Sequence, residues 1–268
     1  MNRINSLDEI QAFIGSIKKE GEGFLTNFYL DAEKHALWIN SGELYYIQYD
    51  KCIFLLRKCE DFNSLFYITT NRNQLEAGLE RAISTFHEMM VVDIVNRGES
   101  DILELFKSFG FQLYETLYRM NRIGNPAFKE TIDEHISMAG KEDALQVKRL
   151  LDSHFNPISE QIPSLKEISI FIEEKHLLVY KKESLVVGFI LYELNGLTLY
   201  LRYWFVSPEY RDAHIGAKLF NAFMKAGAAT KRQLFWVIAN NGNAIKRYQH
   251  YGFKAENMYD YVLVKNKI

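Results

Sequence analysis

The chain has few of the residues that mark disulfide-rich, zinc-binding or membrane proteins. Its 268 residues include only two cysteines, Cys52 and Cys59, and no histidine lies near them at ligand spacing. This pattern predicts free thiols in a reducing compartment rather than a zinc site or a disulfide framework. No hydrophobic run approaches the ~20 residues of a membrane span, and the amino terminus lacks the apolar core of a signal peptide. We therefore expect a soluble, cytoplasmic protein with no membrane association.

Neither sign of charge is in clear excess. Lys and Arg number 32 against 34 Asp and Glu, which gives a formal net charge of −2. Proteins that bind nucleic acid need a basic surface, so the total charge gives no electrostatic case for a nucleic-acid partner, and only a local basic patch would supply one. Hydrophobic residues make up 48% of the chain and aromatic residues 14%, which predicts a densely packed globular interior.

Two successive series of strands and helices are predicted along the chain. Short apolar runs bounded by turns or charges, such as Phe24–Tyr29 and Ala36–Ile39, predict strands, and apolar residues at 3.6-residue spacing predict helices between them. The turn-rich stretch Asn121–Pro126 interrupts this order, and a new cycle of elements follows it. We therefore predict two domains, over residues 1–127 and 128–268.

A short similarity links the two halves. The segment Lys107–Phe111 in the first half resembles His250–Phe253 in the second, and both follow a predicted helix and precede a strand. The matching order of elements predicts a duplicated domain. Counting back from the shared Gly-Phe pair, Phe106 stands opposite Tyr248 and lacks its hydroxyl.

The segment Leu199–Lys218, LYLRYWFVSPEYRDAHIGAK, combines a strand, a turn and a helix. The strand, rich in aromatic and β-branched residues, ends at Val206, and a helix begins near Gly216. Unpaired N–H groups converge at the first turn of such a helix, and its dipole adds partial positive charge. The pattern predicts an anion site suited to a diphosphate, where Gly216 would allow close approach of the backbone.

The segment Asn241–Phe253, NGNAIKRYQHYGF, predicts a helix that presents two residues on one face. Ala244 and Tyr248 are four positions apart, so they lie on the same side of the helix. Asn241 precedes the helix, where an asparagine serves as an N-cap or is free to bind a ligand.

Together the two segments resemble signatures of the GNAT superfamily of N-acyltransferases. The phosphate loop of that family reads approximately Val-x-Pro-x-x-Arg-x-x-Gly-x-Gly/Ala, and its second signature reads Asn-x-x-Ala-x-x-x-Tyr-x-x-x-Gly-Phe. The chain departs from the first pattern at His214, where a loop glycine is expected, and Asp212 adds a negative charge beside the loop. The matching positions are Val206, Pro208, Arg211, Gly216, Asn241, Ala244, Tyr248, Gly252 and Phe253.

The resemblance implies an α/β (α+β) fold, with a GNAT-like mixed central sheet flanked by helices and, given the similarity of the halves, a duplicated one. It implies acetyl-CoA as acyl donor, no metal, and a small-molecule or peptide amine as acceptor. Tyr248 stands at the position of the general acid that protonates the departing thiolate. The residues implied in binding acetyl-CoA are Phe205, Val206, Arg211, Ala213, His214, Ile215, Gly216, Ala217, Asn241 and Ala244.

Two further features complete the predicted site. The strands ending at Val206 and Ala239 are expected to splay apart, which leaves unpaired backbone groups for a pantetheine arm and a backbone N–H near Val206 for the oxyanion. The sequence does not single out a general base: Glu193, Glu209, Tyr259 and Asp260 are all candidates. The first half lacks the glycine loop, so we predict that residues 1–127 form a degenerate GNAT-like domain without an acyl-CoA site.

Two alternatives to an amine acetyltransferase stay open at this point. Tandem domains of this kind also occur in aminoacyl-tRNA-dependent peptidyl transferases, although the near-neutral charge disfavours a tRNA partner. A degenerate domain that binds a ligand or partner without catalysis is the second alternative, and His214 and Asp212 are the features that favour it. The sequence does not identify the acceptor amine or the oligomeric state.

Overall fold

A computed structural model of the chain describes residues 1–98 and 100–267, without the side chain of Asp212. The chain divides into two compact units, one formed by residues 1–117 together with 257–268, and the other by residues 118–256. The predicted division between residues 127 and 128 therefore falls inside the second unit. The carboxy-terminal segment also belongs to the first unit, a strand exchange that no local sequence pattern indicates.

The first unit alternates helices with strands in the order typical of an α+β fold. Its residues form β1 (Asn2–Arg3), α1 (Leu7–Lys19), β2 (Leu25–Thr26), α2 (Ala32–Asn40), β3 (Leu44–Tyr49), β4 (Cys52–Lys58), β5 (Asn63–Thr69), α3 (Arg72–Ala82), a 3-10 turn (Ile83–Thr85), β6 (Met90–Asn96), α4 (Asp101–Ser108) and the start of β7 (Gln112–Ile123).

The second unit repeats that order. After the end of β7 come β8 (Ile136–Met138), a 3-10 turn (Lys141–Asp143), α5 (Ala144–His154), α6 (Leu165–Glu173), β9 (Leu177–Lys182), β10 (Leu185–Asn195), β11 (Thr198–Val206), a 3-10 turn (Pro208–Ala213), α7 (Ile215–Ala226), β12 (Arg232–Ile238), α8 (Gly242–His250) and β13 (Lys254–Lys265).

Each unit has a mixed sheet with an apolar core on both faces. In the first unit the strand order is β1-β3-β4-β5-β6, followed by the 259–265 part of β13, which pairs antiparallel with β6. In the second unit the order is β7-β12-β11-β10-β9-β8. Neighbouring strands β5 and β6, and likewise β11 and β12, are parallel, whereas the hairpins β3-β4-β5 and β9-β10-β11 are antiparallel. This arrangement confirms the predicted α/β class with a mixed central sheet flanked by helices.

The same helix-ending turn occurs in both units. Gly110 and Gly252 have φ of 85° and 83°, a left-handed conformation that only glycine adopts without strain. The N–H of Phe111 donates to the carbonyl oxygen of Phe106, and the N–H of Phe253 donates to that of Tyr248. The short Gly-Phe similarity in the sequence therefore reflects one backbone motif used twice, as expected of a duplicated fold.

One predicted strand is wrong. Residues 36–39 lie within helix α2, which begins after Asp31. The Asp31 carboxylate accepts from the N–H of Lys34 and caps the helix, and His35, Trp38 and Ile39 are buried on one side of it. A run of four apolar residues is too short to distinguish alternation from helical periodicity, and this N-cap was the signal that sequence reasoning missed.

Candidate functional site

The two parallel strands of the second unit separate part-way along their length. β11 and β12 pair at Thr198–Arg232, Leu199–Gln233 and Tyr200–Leu234, yet β11 continues to Val206 and β12 to Ile238. This confirms the predicted divergence. Beyond the last pair, the facing N–H and C=O groups of the two strands are available to a ligand that lies between them as an added strand.

A bulge in β11 lies where the strands begin to separate. The register between β10 and β11 shifts between Leu191 and Tyr192, so Arg202 is the extra residue opposite that step. Consequently Leu201 packs in one core while Tyr203 packs in the other, on the side of α5 and α6. A bulge increases local twist and redirects side chains, which helps β11 to turn away from β12.

A 3-10 turn and helix α7 follow directly on β11, at the place where the sequence predicts an anion site. The N–H groups of residues 215–217, in the first turn of α7, have no acceptor within the helix, and the helix dipole points its positive end at them. The side chain of Arg211 is exposed, and its Nε lies 3.5 Å from the carbonyl oxygen of Val206, at the end of β11. The Asp212 side chain lies outside the described atoms.

His214 marks the strained point of this loop. It has φ of 55° and ψ of 17°, in the left-handed region, and it immediately precedes α7. This conformation explains why the family pattern has glycine at this position, since a residue with a Cβ adopts it at a cost of about 1–2 kcal/mol. The loop thus keeps the backbone shape of the motif despite the substitution.

Gly216 makes room for a neighbouring indole. A Cβ added at Gly216 would lie 3.3 Å from Cζ2 of Trp204, which is tighter than ordinary van der Waals contact. Trp204 in turn stacks on Phe220 at 4.9 Å between ring centroids, and the guanidinium of Arg247 lies 5.7 Å from the Trp204 ring. Packing of Trp204 therefore accounts for Gly216, in addition to the close backbone approach predicted from the sequence.

Helix α8 presents the second motif as the sequence predicts. The side chain of Asn241 caps the helix by accepting from the N–H of Ala244 at 3.1 Å. Ala244 and Tyr248 both pack against the apolar core beneath α7 and β12, so they do share one helix face. The capping role assigns Asn241 a structural function that needs no ligand.

The ring of Tyr248 is held by aromatic neighbours from both diverging strands. The ring centroid lies 3.9 Å from that of Phe235 on β12 and 5.7 Å from that of Trp204 on β11, the two strands that diverge. Within residues 1–98 and 100–267, no residue hydrogen-bonds the Tyr248 hydroxyl. Burial raises the pKa of Tyr248 above its usual range, partly opposed by the nearby Arg247 charge, so the phenol stays protonated near neutral pH.

The side chains of the other residues predicted to bind acetyl-CoA are divided between the core and the surface of the loop. Phe205 is buried and packs against His154 with 4.5 Å between ring centroids, and Ile215 is fully buried in the core beneath α7. Ala213 and Ala217 are exposed at the end of the 3-10 turn and in the first turn of α7.

The four general-base candidates lie in different surroundings. Glu193 is 3.6 Å from the guanidinium of Arg202 and is therefore engaged in an ion pair beside the bulge. Glu209 is exposed in the turn after β11. Tyr259 and Asp260 pair with Asn96 and Val95 of β6, so both belong to the first unit.

The sequence did not predict one hydrogen-bonded contact, which joins β11 to the segment that connects α5 with α6. The Tyr203 hydroxyl donates to the carbonyl oxygens of Glu160 and Gln161, at 2.5 and 3.0 Å. Asn156 and Glu160 are joined by two hydrogen bonds. The N–H of Asn156 donates to the carboxylate of Glu160, and the N–H of Glu160 donates to the carbonyl oxygen of Asn156. Gln161 has φ of 49°, so a turn fixes this segment above the diverging strand. No residue-type pattern in the sequence signals such a backbone-directed contact.

The comparisons with known proteins agree with this geometry. Residues 146–253 match the model of the acetyltransferase (GNAT) family, so this part of the chain is similar to GNAT domains. A search of curated proteins gave no match.

Solved structures of the same fold extend over nearly the whole chain. A GNAT acetyltransferase from Colwellia psychrerythraea is 16% identical, covers 99% of both chains and has a TM-score of 0.57. A GCN5-related N-acetyltransferase from Sphaerobacter thermophilus is 14% identical over 96% of this chain and 91% of that one, with a TM-score of 0.56. A tandem GNAT protein of the clavulanic acid pathway is 11% identical over 81% and 79%, also with a TM-score of 0.56. At these identities the likeness shows the fold alone, and the matched part of the chain includes both units.

The described residues form neither a membrane-spanning helix nor a metal-binding cluster. Of the helices formed by residues 1–98 and 100–267, none is long and apolar enough to cross a membrane. Among the same residues, no three or more His, Cys, Asp or Glu side chains are grouped so that they could hold a metal ion.

Proposed function

We propose that the chain is an acetyl-CoA-dependent N-acetyltransferase that acts on a primary amine, a small molecule or a peptide, in the cytoplasm. The observation that carries the proposal is the divergence of β11 from β12 beyond Tyr200–Leu234, directly ahead of the free N–H groups of α7. A pantetheine fits the first feature and a diphosphate the second. The two thiols, neither in a disulfide, fit a reducing compartment.

The chemistry assigns one step to each part of the site. The amine nitrogen attacks the thioester carbonyl carbon, and a backbone N–H near Val206 stabilises the oxyanion. The C–S bond then breaks, and the Tyr248 hydroxyl gives its proton to the thiolate. The proton that the nitrogen loses passes to water, and water returns a proton to the phenolate. A protonated phenol that has no acceptor among the described residues, held between aromatic residues of both strands, suits this role. Direct attack needs no acyl-enzyme, so no nucleophilic cysteine is required.

Two measurements test the proposal. Calorimetry with CoA should give binding that depends on Arg211. Release of free thiol from acetyl-CoA, followed over a panel of primary amines, should then identify an acceptor. Thermal stabilisation by acetyl-CoA without turnover of any amine would favour a non-catalytic binding protein instead. Failure of CoA to bind at all would contradict the proposal.

A further inference from the structure

The first unit contains the same kind of strand divergence as the second. β5 and β6 pair in parallel only at Asn63–Met90 and Ser64–Val91, although β5 continues to Thr69 and β6 to Asn96. Backbone groups that face the gap after these two pairs need partners, because buried N–H and C=O groups that lack hydrogen bonds are costly.

One side chain of the same unit supplies those partners. The Asn27 amide nitrogen donates to the carbonyl oxygen of Leu65 on β5 and to that of Asp93 on β6, at 3.2 Å each. Its amide oxygen accepts from the N–H of Tyr67, again on β5, at 2.7 Å. A single carboxamide therefore bridges the two diverging strands, immediately after the last paired residues.

The residues around Asn27 fix it in this position. Leu25 and Thr26 form β2, which pairs with the end of β5, and the Thr26 hydroxyl donates to the carbonyl oxygen of Tyr67 at 2.6 Å. Phe28, on the other side, is only 4% exposed within the core under α1 and α2. Gly23 has φ of 112°, and a Cβ there would lie 2.8 Å from the carbonyl oxygen of Thr70, so the chain approaches the gap in close contact with the residue that follows β5.

Asn27 lies in the segment between α1 and α2, and the corresponding segment of the second unit makes a different contact with its sheet. It runs from α5 to α6 and reaches β11 through the Tyr203 hydroxyl, which bonds its carbonyl groups at residues 160 and 161. In the second unit, therefore, a side chain of β11 makes the contact, and the backbone of β11 does not. In the first unit the bonds are made to the backbone of both strands, where a ligand amide would otherwise bind.

We propose that the splayed cleft of the first unit is an amide-binding slot that its own Asn27 occupies, so that it takes no acyl-CoA and the whole chain binds one CoA. The slot keeps the hydrogen-bonding geometry of an acyl-CoA cleft, and the side-chain carboxamide replaces the amide of a pantetheine. The statement about CoA rests on the proposed function, whereas the statement about Asn27 stands on the bonds it makes.

The number of CoA molecules bound tests the first part. Calorimetry of the full chain with CoA should give one equivalent per chain, and Arg211→Ala should weaken that single site without leaving a residual one. A second equivalent in the wild type, or one equivalent of unchanged affinity in Arg211→Ala, would overturn the proposal. If CoA does not bind at all, the proposed function fails, and the variants of Asn27 still decide whether the slot is filled as described.

Variants of Asn27 test the second part. Asn27→Ala should lower Tm by roughly 5 °C or more, because three bonds between diverging strands are lost. Asn73→Ala, at an exposed position of α3 in the same unit, is the matched control. Hydrogen exchange of the Tyr67 amide should accelerate about tenfold or more in Asn27→Ala, relative to that control. Asn27→Asp, which keeps the acceptor for Tyr67 but loses both donors, should show a lower Tm with Tyr67 still protected. Equal Tm and equal Tyr67 exchange in Asn27→Ala and Asn73→Ala would overturn the assignment.

Discussion

The ring of Tyr248 lies against the ring of Phe235, with 3.9 Å between the centroids and 36° between the planes. Because Phe235 belongs to β12 and the Tyr248 ring also neighbours Trp204 on β11, the phenol sits where the two strands diverge. Packing fixes the ring, whereas the proposed proton donation depends on the hydroxyl. Packing and proton donation can therefore be separated experimentally.

Tyr248→Phe keeps the ring and removes the hydroxyl. If the phenol protonates the thiolate, kcat should fall by roughly 10²–10⁴-fold, the usual contribution of general acid catalysis, with little change in KM for acetyl-CoA or in Tm. Tyr251→Phe, at the end of the same helix with its ring 4.1 Å from Phe220, is the control and should retain kcat. A kcat for Tyr248→Phe within a factor of two of wild type would leave Tyr248 with a packing role only.

Arg211→Ala removes the exposed cation next to the first turn of α7. Charge-assisted hydrogen bonds contribute about 1.5–3 kcal/mol, so Kd for CoA should rise by roughly one to two decades. Arg149→Ala, an exposed arginine on α5, controls for the loss of one positive charge. Calorimetry would argue against the loop as the diphosphate site if the two variants bound CoA equally well.

His214→Gly should relieve the left-handed strain ahead of α7. The relief of about 1–2 kcal/mol exceeds the entropic cost of glycine, so unfolding free energy should rise by roughly 0.5–1 kcal/mol. CoA should also bind more tightly, because the variant restores the glycine of the family loop. Glu183→Gly, at an exposed turn residue with φ of 55°, should give the same stabilisation without any effect on CoA. Weaker CoA binding by His214→Gly would instead mean that the imidazole contacts the ligand.

Tyr203→Phe should release the segment between α5 and α6 from β11. The variant loses both bonds to the Glu160 and Gln161 carbonyl oxygens. Under the proposed function, this segment would border the acceptor amine. We expect KM for the amine to rise by about tenfold while KM for acetyl-CoA stays constant. Tyr192→Phe, which loses a bond to the Lys175 carbonyl oxygen in the same unit, is the control for stability. Equal changes in both Michaelis constants would contradict this positioning role.

Asp260→Asn should stabilise the protein increasingly as pH rises. Burial and the neighbouring Asp93 hold the pKa of Asp260 well above its usual range, and one of its carboxyl oxygens is buried without a partner among the described residues. A carboxyl whose folded-state pKa is raised disfavours folding once pH exceeds its unfolded pKa, and this penalty grows until pH passes the folded value. The Tm difference between the variant and wild type should therefore widen from pH 4 towards pH 8. Asp61→Asn, at an exposed turn, controls for net charge, and a difference independent of pH would refute the assignment.

The sequence predicts the parts of the site that depend on backbone shape and fails where distant segments meet. The segment Asn241–Phe253 predicts a helix, and α8 spans Gly242–His250 within it, since Asn241 is a recognisable N-cap and Gly252 a recognisable helix end. The divergence of β11 and β12 follows from the same motifs. The bridge that Asn27 forms between β5 and β6 could not be predicted from the sequence. Its partners lie about 40 and 66 positions away, and they bond through backbone atoms, which carry no residue-type signal. The apolar run at Phe24–Tyr29 indicated a strand, and only Leu25–Thr26 form one.

The pairing of Tyr259–Lys265 with β6 sets an order of events during synthesis. Residues up to 117 leave the ribosome first, but their sheet is completed only by a strand that is translated about 140 residues later. At about 5–20 residues per second, the intervening ~150 residues take roughly 7–30 s, during which the edge of β6 from Met90 to Asn96 has no partner from β13. An open edge of this kind is an aggregation hazard. The nascent chain therefore has to protect its first half until residues 259–265 emerge, and truncation ahead of this strand would damage the half that was made first.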